Sequence, residues 1–158
     1  MLRFISFGSG SSGNCYYLYT ETDSILIDVG VGLRSLKKHF HNYGMQFEDI
    51  HHILVTHDHA DHVKSVGSLS NDFHLPVYTT RKVHMGIERN YCVRKKIVPQ
   101  NVHVIEKGVP LLWESLRLHH LEFLMIVPTM WAILWNRVVC ASACLLMSDI
   151  LQKKCTNS

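Results

Sequence analysis

The chain has 158 residues, a net charge of +3 and 47% apolar residues, enough for one domain with a core of its own. So small a charge does not by itself argue for a nucleic-acid partner. Five cysteines (Cys15, Cys92, Cys140, Cys144 and Cys155) form no CxxC pair and read as free thiols in a reducing cytoplasm. The most membrane-like run, Phe123 to Trp135, is 13 residues long and holds Pro128. A spanning helix needs roughly 20 residues, so no membrane contact is expected. The start, Met1-Leu2-Arg3-Phe4-Ile5-Ser6-Phe7, has no long apolar stretch of the kind a secretory leader carries.

Leu2 to Phe7 reads as a first strand, and Gly8-Ser9-Gly10-Ser11-Ser12-Gly13 follows it as a literal GxGxxG. A dinucleotide site would require a helix next. The aromatic-rich Asn14-Cys15-Tyr16-Tyr17-Leu18-Tyr19-Thr20 is strand-like instead, so the glycines predict a tight loop within a hairpin. Ser24 to Gly30 is a further strand ending in Asp28-Val29-Gly30. Taken alone, Asp28 is as readily a turn or capping residue as a functional one. Leu33, Leu36 and Phe40 recur at helical spacing while Arg34, Lys37 and Lys38 face away, predicting an amphipathic helix that ends near Asn42-Tyr43-Gly44. Phe47 to Ile50 is a short turn. His51 and His52 precede the next strand and are not expected to bind metal.

That strand is Ile53-Leu54-Val55, and it runs directly into Thr56-His57-Asp58-His59-Ala60-Asp61-His62. Three imidazoles and two carboxylates within seven residues, after a buried run, are costly unless they are used. Imidazole nitrogen with carboxylate oxygen suits zinc and similar divalent ions. His57 and His59, one residue apart in extended chain, project to the same side and could share one metal. Asp61 and His62 follow where the chain turns into a helix and could face a second. The bland alternative is a polar loop of surface histidines. Twelve histidines in so short a chain favour metal.

THDHADH after a hydrophobic strand resembles the HxHxDH signature of the metallo-β-lactamase-fold hydrolases. The GSGSSGNCYYL opening looks like the YycJ/WalJ (VicX-like) branch of that superfamily, in which the SSGN loop lies close to the metal centre. The resemblance implies an α/β (α+β) fold, the N-terminal half of an αββα sandwich. It implies two divalent metal ions, most simply zinc, with manganese or iron as alternatives. Carried over, His57 and His59 are ligands of the first metal, and Asp61 and His62 of the second. Asp28 matches the first motif's Asp, which supports the metal loop from behind without ligating. Asp58 becomes a secondary catalytic candidate, through acid–base chemistry or a hydrogen bond to water, beside Asp61. The implied activity is metal-dependent hydrolysis of phosphodiesters, with DNA as the partner. A thioester or lactone hydrolase, or an inactive remnant with an incomplete site, are the alternatives.

Beyond the motif, Val63 to Leu69 reads as a helix, Pro76 to Thr79 as a strand, and Thr80 as the N-cap of a helix reaching about Tyr91. His84 in that helix reads as structural, and Arg94-Lys95-Lys96 as a solvated turn. Val102 to Ile105 is a strand. Residues 1–110 therefore form the family-like part, and 111–158 a tail of different character.

In that tail the family's third motif (Pro-His-Asp), its Thr-Asp motif and its last His are not written, and tryptophans appear at 113, 131 and 135. A shift of reading frame near Pro110 and Leu111 accounts for this. Joining the third base of each codon to the first two of the next forces Gly at Trp113/Glu114 and Asp at Met125/Ile126. It also forces Val at Met130/Trp131 and Gly at Trp131/Ala132. Permitted codons then allow PHDSTDNVG from Phe123 onward, and Thr-Asp-Val-Gly from Leu145 to Ser148. On this reading His119, His120, Asp149 and the Cys140–Cys144 pair are accidental.

Overall fold

The computed structural model describes residues 3–106 in full, and the backbone of 111–112 and 117–118. All lie in one compact unit, Met1–Leu121. Six strands form one sheet in sequence order: β1 (Arg3–Gly8), β2 (Cys15–Tyr19), β3 (Ser24–Ile27), β4 (His52–Leu54), β5 (Val77–Thr79) and β6 (Val102–Val104). The first three pair antiparallel through tight turns, and β3 to β6 pair parallel. Parallel neighbours need crossovers, and helices supply them: α1 (Leu33–Asn42) before β4, α2 (Ala60–Val63) and α3 (Val66–Phe73) before β5, and α4 (Arg81–Arg89) before β6. Leu111–Leu112 and Arg117–Leu118 pair as a separate two-stranded ladder, β7 and β8.

The glycine-rich stretch is the turn of the β1–β2 hairpin, as its strand-like sequel predicts. Register then aligns one row across four strands: Tyr17 with Leu26, Leu26 with Ile53, Ile53 with Val77. All four side chains are buried in the core that α1 and α3 cover. Leu36 and Phe40 of α1 join it, while Arg34, Lys37 and Lys38 face solvent. Phe40 ties this helix to the sheet and to its neighbours, with ring centroids 4.9 Å from Phe7 and 5.1 Å from Phe47, itself 5.3 Å from Phe73. Offset and edge-on rings at such distances each add about 1 kcal/mol beyond their burial. On the other face Leu18, Ile25 and Leu54 are buried as well. Cys15 and Cys92 are free thiols; burial pushes the Cys15 thiol well above its ordinary value, and the Asp28 charge adds to that.

Several boundaries differ from those expected. β3 ends at Ile27 because Asp28 takes a left-handed backbone, φ 59°. The single helix expected over Val63 to Leu69 is two pieces, α2 and α3, broken at Lys64 and Ser65. Ser65 donates its N–H to Val29 O at 2.9 Å and its hydroxyl to Val31 O at 2.8 Å. These bonds to the exit of β3 replace continuous helical ones. Thr80 caps α4 as predicted, accepting the Val83 N–H at 3.4 Å, but the helix closes at Arg89. The tail assignments, among them His119, His120, Asp149 and Cys140–Cys144, lie outside the described residues.

Candidate metal centre

The parallel order of β3 and β4 brings Asp28 and Thr56 side by side at the carboxyl ends of adjacent strands. Open α/β sheets characteristically bind ligands at that end. Asp28 N–H donates to Leu54 O at 2.8 Å, continuing the ladder one residue past the strand. The left-handed turn then aims its carboxylate across to the next loop. Oδ1 accepts the Thr56 N–H at 2.9 Å, and Oδ2 accepts the Thr56 hydroxyl at 2.8 Å and His62 Nδ1–H at 2.7 Å. Asp28 is fully buried. A non-glycine residue at positive φ costs on the order of 1–3 kcal/mol, and here the strained turn directs a carboxylate into the metal-motif loop.

This contact decides the His62 tautomer. With the proton on Nδ1 and directed at Asp28, Nε2 keeps its lone pair and faces the front of the loop. There it lies 3.5 Å from Asp61 Oδ2 and 3.0 Å from Asn14 Nδ2. Asn14 also donates from Nδ2 to Asp61 Oδ2 at 3.2 Å. Its own backbone N–H donates to Asp61 O at 2.7 Å, and its carbonyl accepts the Gly30 N–H at 2.9 Å. The hairpin turn, the exit of β3 and the metal-motif loop are thus laced together at Asn14. Gly30 sits where they meet: a Cβ there would fall 1.7 Å from Asp61 O.

The remaining motif histidines gather on the same side. The rings of His57 and His62 have centroids 3.6 Å apart, and those of His57 and His59 4.8 Å apart. His57 Nδ1 lies 3.0 Å from the Thr56 hydroxyl. Burial pushes the His57 imidazole below its ordinary value, with His62 contributing further, so the ring is neutral at neutral pH. His59 is exposed at the mouth of the loop. Asp58 turns away from the three rings. Its carboxylate packs on Gly86 of α4, where a Cβ would meet Oδ2 at 1.7 Å.

Among the described residues no three His, Cys, Asp or Glu side chains converge as a closed ligand cluster. The donor set nevertheless suits a divalent cation. Three imidazoles and the Asp61 carboxylate share a single loop, and the Nε2 of His62 lies beside that carboxylate. The group between those two acceptors is an amide NH2, the positive end of a dipole, so the place is already built to receive positive charge. His51 and His52 lie apart from this loop; His52 is within β4, its Nε2 3.2 Å from Asp23 Oδ1. His84 Nε2 lies 3.0 Å from His103 O, tying α4 to β6 as a structural residue. The residue that sequence reasoning did not single out is Asn14, within the SSGN stretch.

A model of the beta-lactamase superfamily domain matches residues 23–134, a span that runs past Pro110. The chain is 36% identical over 87 residues to exodeoxyribonuclease YycJ of Bacillus anthracis, a match covering 55% of this chain and 33% of that protein. It is 30% identical over 106 residues to exodeoxyribonuclease WalJ of Streptococcus pneumoniae serotype 2, covering 67% of this chain and 39% of the relative. It therefore spans little more than a third of the curated relatives it matches. A subclass B3 metallo-β-lactamase with an active-site glutamic acid superposes with a TM-score of 0.57 at 17% identity, over 71% of this chain and 46% of that one. That likeness is one of fold. Among the described residues no helix is long and apolar enough to cross a membrane.

Proposed function

The chain belongs to the beta-lactamase superfamily, and on that footing we propose that it is a metal-dependent phosphodiesterase acting on DNA in the cytoplasm. The observation that carries the reading is the oriented donor set: Asp28 holds His62 Nδ1 at 2.7 Å and so presents Nε2 beside the Asp61 carboxylate. The names of the two sequence relatives, both exodeoxyribonucleases, support DNA as the substrate class.

His57, His59, Asp61 and His62 are the residues that would hold the metal ions, zinc being the simplest fit to imidazole and carboxylate. A divalent ion there supplies Lewis acidity toward a phosphodiester and lowers the pKa of water toward neutrality. The chain's own part is preparation. Asp28 and Thr56 fix the His62 ring from behind, as hydrogen-bonded partners of metal-binding histidines do. Asn14 fixes Asp61 from the side. His57 is kept neutral by burial. His59, exposed, faces incoming substrate.

The test is cleavage of an end-labelled DNA strand by the full chain, with zinc or manganese and with EDTA. Metal-dependent cleavage that is lost in His57→Ala supports the proposal. Absence of cleavage with every metal overturns it. A second reading, metal binding without turnover, is favoured by one feature: the third and fourth motifs of the family are not written after Pro110. Stoichiometric metal with no cleavage would support that reading. For residues 111–158 we keep the proposal of a shifted frame. Gene codons for Leu124 and Pro128 whose third bases cannot give His and Asp would overturn it.

A further inference from the structure

Along α4, Lys82, Met85, Gly86 and Arg89 recur three or four residues apart and so share one stripe of the helix. Val83 and Ile87 lie on the opposite side, in the core. The Lys82–Arg89 stripe faces the metal-motif loop at Asp58–Ala60, and helix and loop are fastened together. Asn90 Nδ2 donates to Asp58 O at 2.7 Å, while its Oδ1 accepts the Cys92 N–H at 2.9 Å. The Asp58 carboxylate fills the notch at Gly86, where any side chain would collide with it.

Between helix and loop is an open cavity of about 640 Å³, lined among others by His59, Lys82, Met85, Arg89 and Tyr91. Neither Lys82 nor Arg89 takes part in an ion pair among the described residues. Among the described residues the one carboxylate in the lining, Asp58, is turned onto Gly86. Tyr91 stands 91% exposed and Met85 49%. A tyrosine so exposed, beside two unpaired cations and next to an exposed motif histidine, is poorly explained by packing. An open trough also differs from the enclosed sites that small molecules occupy.

We propose that this trough binds an unpaired DNA strand, with Lys82 and Arg89 on phosphates and Tyr91 stacked on a base, leading a phosphodiester to His59. The inference rests on the DNA-directed reading above and deepens it. Positive charge tracking the backbone, together with an aromatic face for bases, is the general chemistry of single-strand binding. At 1.5 Å per residue the two cations stand about 10 Å apart along the helix axis, so each can reach a different phosphate. The Asn90 and Asp58 contacts hold trough and metal loop in fixed relation, which lets strand binding position the scissile bond.

The test is fluorescence anisotropy of a labelled oligothymidylate with the full chain in EDTA over a range of salt, so that binding is read without turnover. The wild-type chain is expected to bind with an affinity that falls as salt rises. Lys82→Ala with Arg89→Ala should shrink the slope of log affinity against log salt by roughly 1.4, about 0.7 for each lost phosphate contact. Tyr91→Ala should weaken binding about fivefold or more with the slope unchanged, and Tyr91→Phe should restore it. Arg34→Ala with Lys37→Ala and Lys38→Ala, on the exposed face of α1, should change nothing. Equal losses from the α1 and α4 variants, or α4 variants that bind like wild type, overturn the trough. If DNA is still cleaved with metal in that case, the hydrolase reading survives alone. Binding through the trough without cleavage supports the trough and overturns the hydrolase reading.

Discussion

Asp28 and His62 are separated by 34 residues of chain, yet the carboxylate accepts the imidazole Nδ1–H at 2.7 Å in a fully buried contact. That bond gives a histidine of undefined tautomer one orientation, with the Nε2 lone pair toward the front of the loop. Asp28→Ala should lower metal affinity by roughly 10- to 100-fold, the usual effect of removing such a supporting carboxylate. Chelator competition with the purified variant measures it. Affinity equal to wild type would show that His62 is oriented by something else.

Gly30 is the point where β3's exit passes beneath the metal-motif loop. Gly30→Ala places a methyl 1.7 Å from Asp61 O, so the loop must move. Overpacking of this kind costs about 1–3 kcal/mol. The urea midpoint should fall accordingly, and metal affinity with it. Gly32→Ala, which has open space around its Cβ, serves as the control and should change stability little.

Asn14 bonds Asp61 from outside the motif. Asn14→Ala removes the amide contacts to Asp61 Oδ2 and His62 Nε2 together with those to the Gly10 backbone in the hairpin turn, and leaves the backbone bonds in place. A hydrogen bond to a charged group is worth about 1.5–3 kcal/mol. Part of that should appear as a lower urea midpoint in the metal-free protein. An unchanged midpoint, with unchanged metal affinity, would remove Asn14 from the site.

His52 and His84 are both held below the ordinary histidine value, in each case first by burial. The unfolded chain therefore binds protons more readily than the folded one as pH falls below the ordinary histidine range. Their contribution is present above that range and lost as pH drops toward the lowered values. The urea midpoint of metal-free protein should decline between about pH 7.5 and 5.5. A midpoint that rises across that interval would contradict the burial argument. His84→Gln should flatten the decline.

Much of this arrangement could be read in the residues themselves. The β-branched run before His57 marked a buried strand, and a carboxylate at the end of Ser24–Gly30 marked a second strand end. With the helical spacing of Leu33, Leu36 and Phe40, these located the loop and its support. Local pattern, however, does not register what distant segments do. The helix expected from Val63 onward breaks because Ser65 finds partners at Val29 and Val31. Asp58, a catalytic candidate by resemblance, packs on Gly86, 28 residues downstream. Asn14 heads a stretch that reads as strand, and its contacts with Asp61 and His62 are suggested only by the resemblance of the SSGN stretch, not by local pattern.

On the proposed reading, the loop from His57 to His62 holds divalent metal. Equilibrium dialysis of the full chain against micromolar zinc, followed by elemental analysis, tests it directly. At least one ion retained per chain, and none in a His57→Ala/His59→Ala variant of unchanged fold, is the predicted result. No stoichiometric ion in the wild-type chain, or equal retention by the variant, would contradict it.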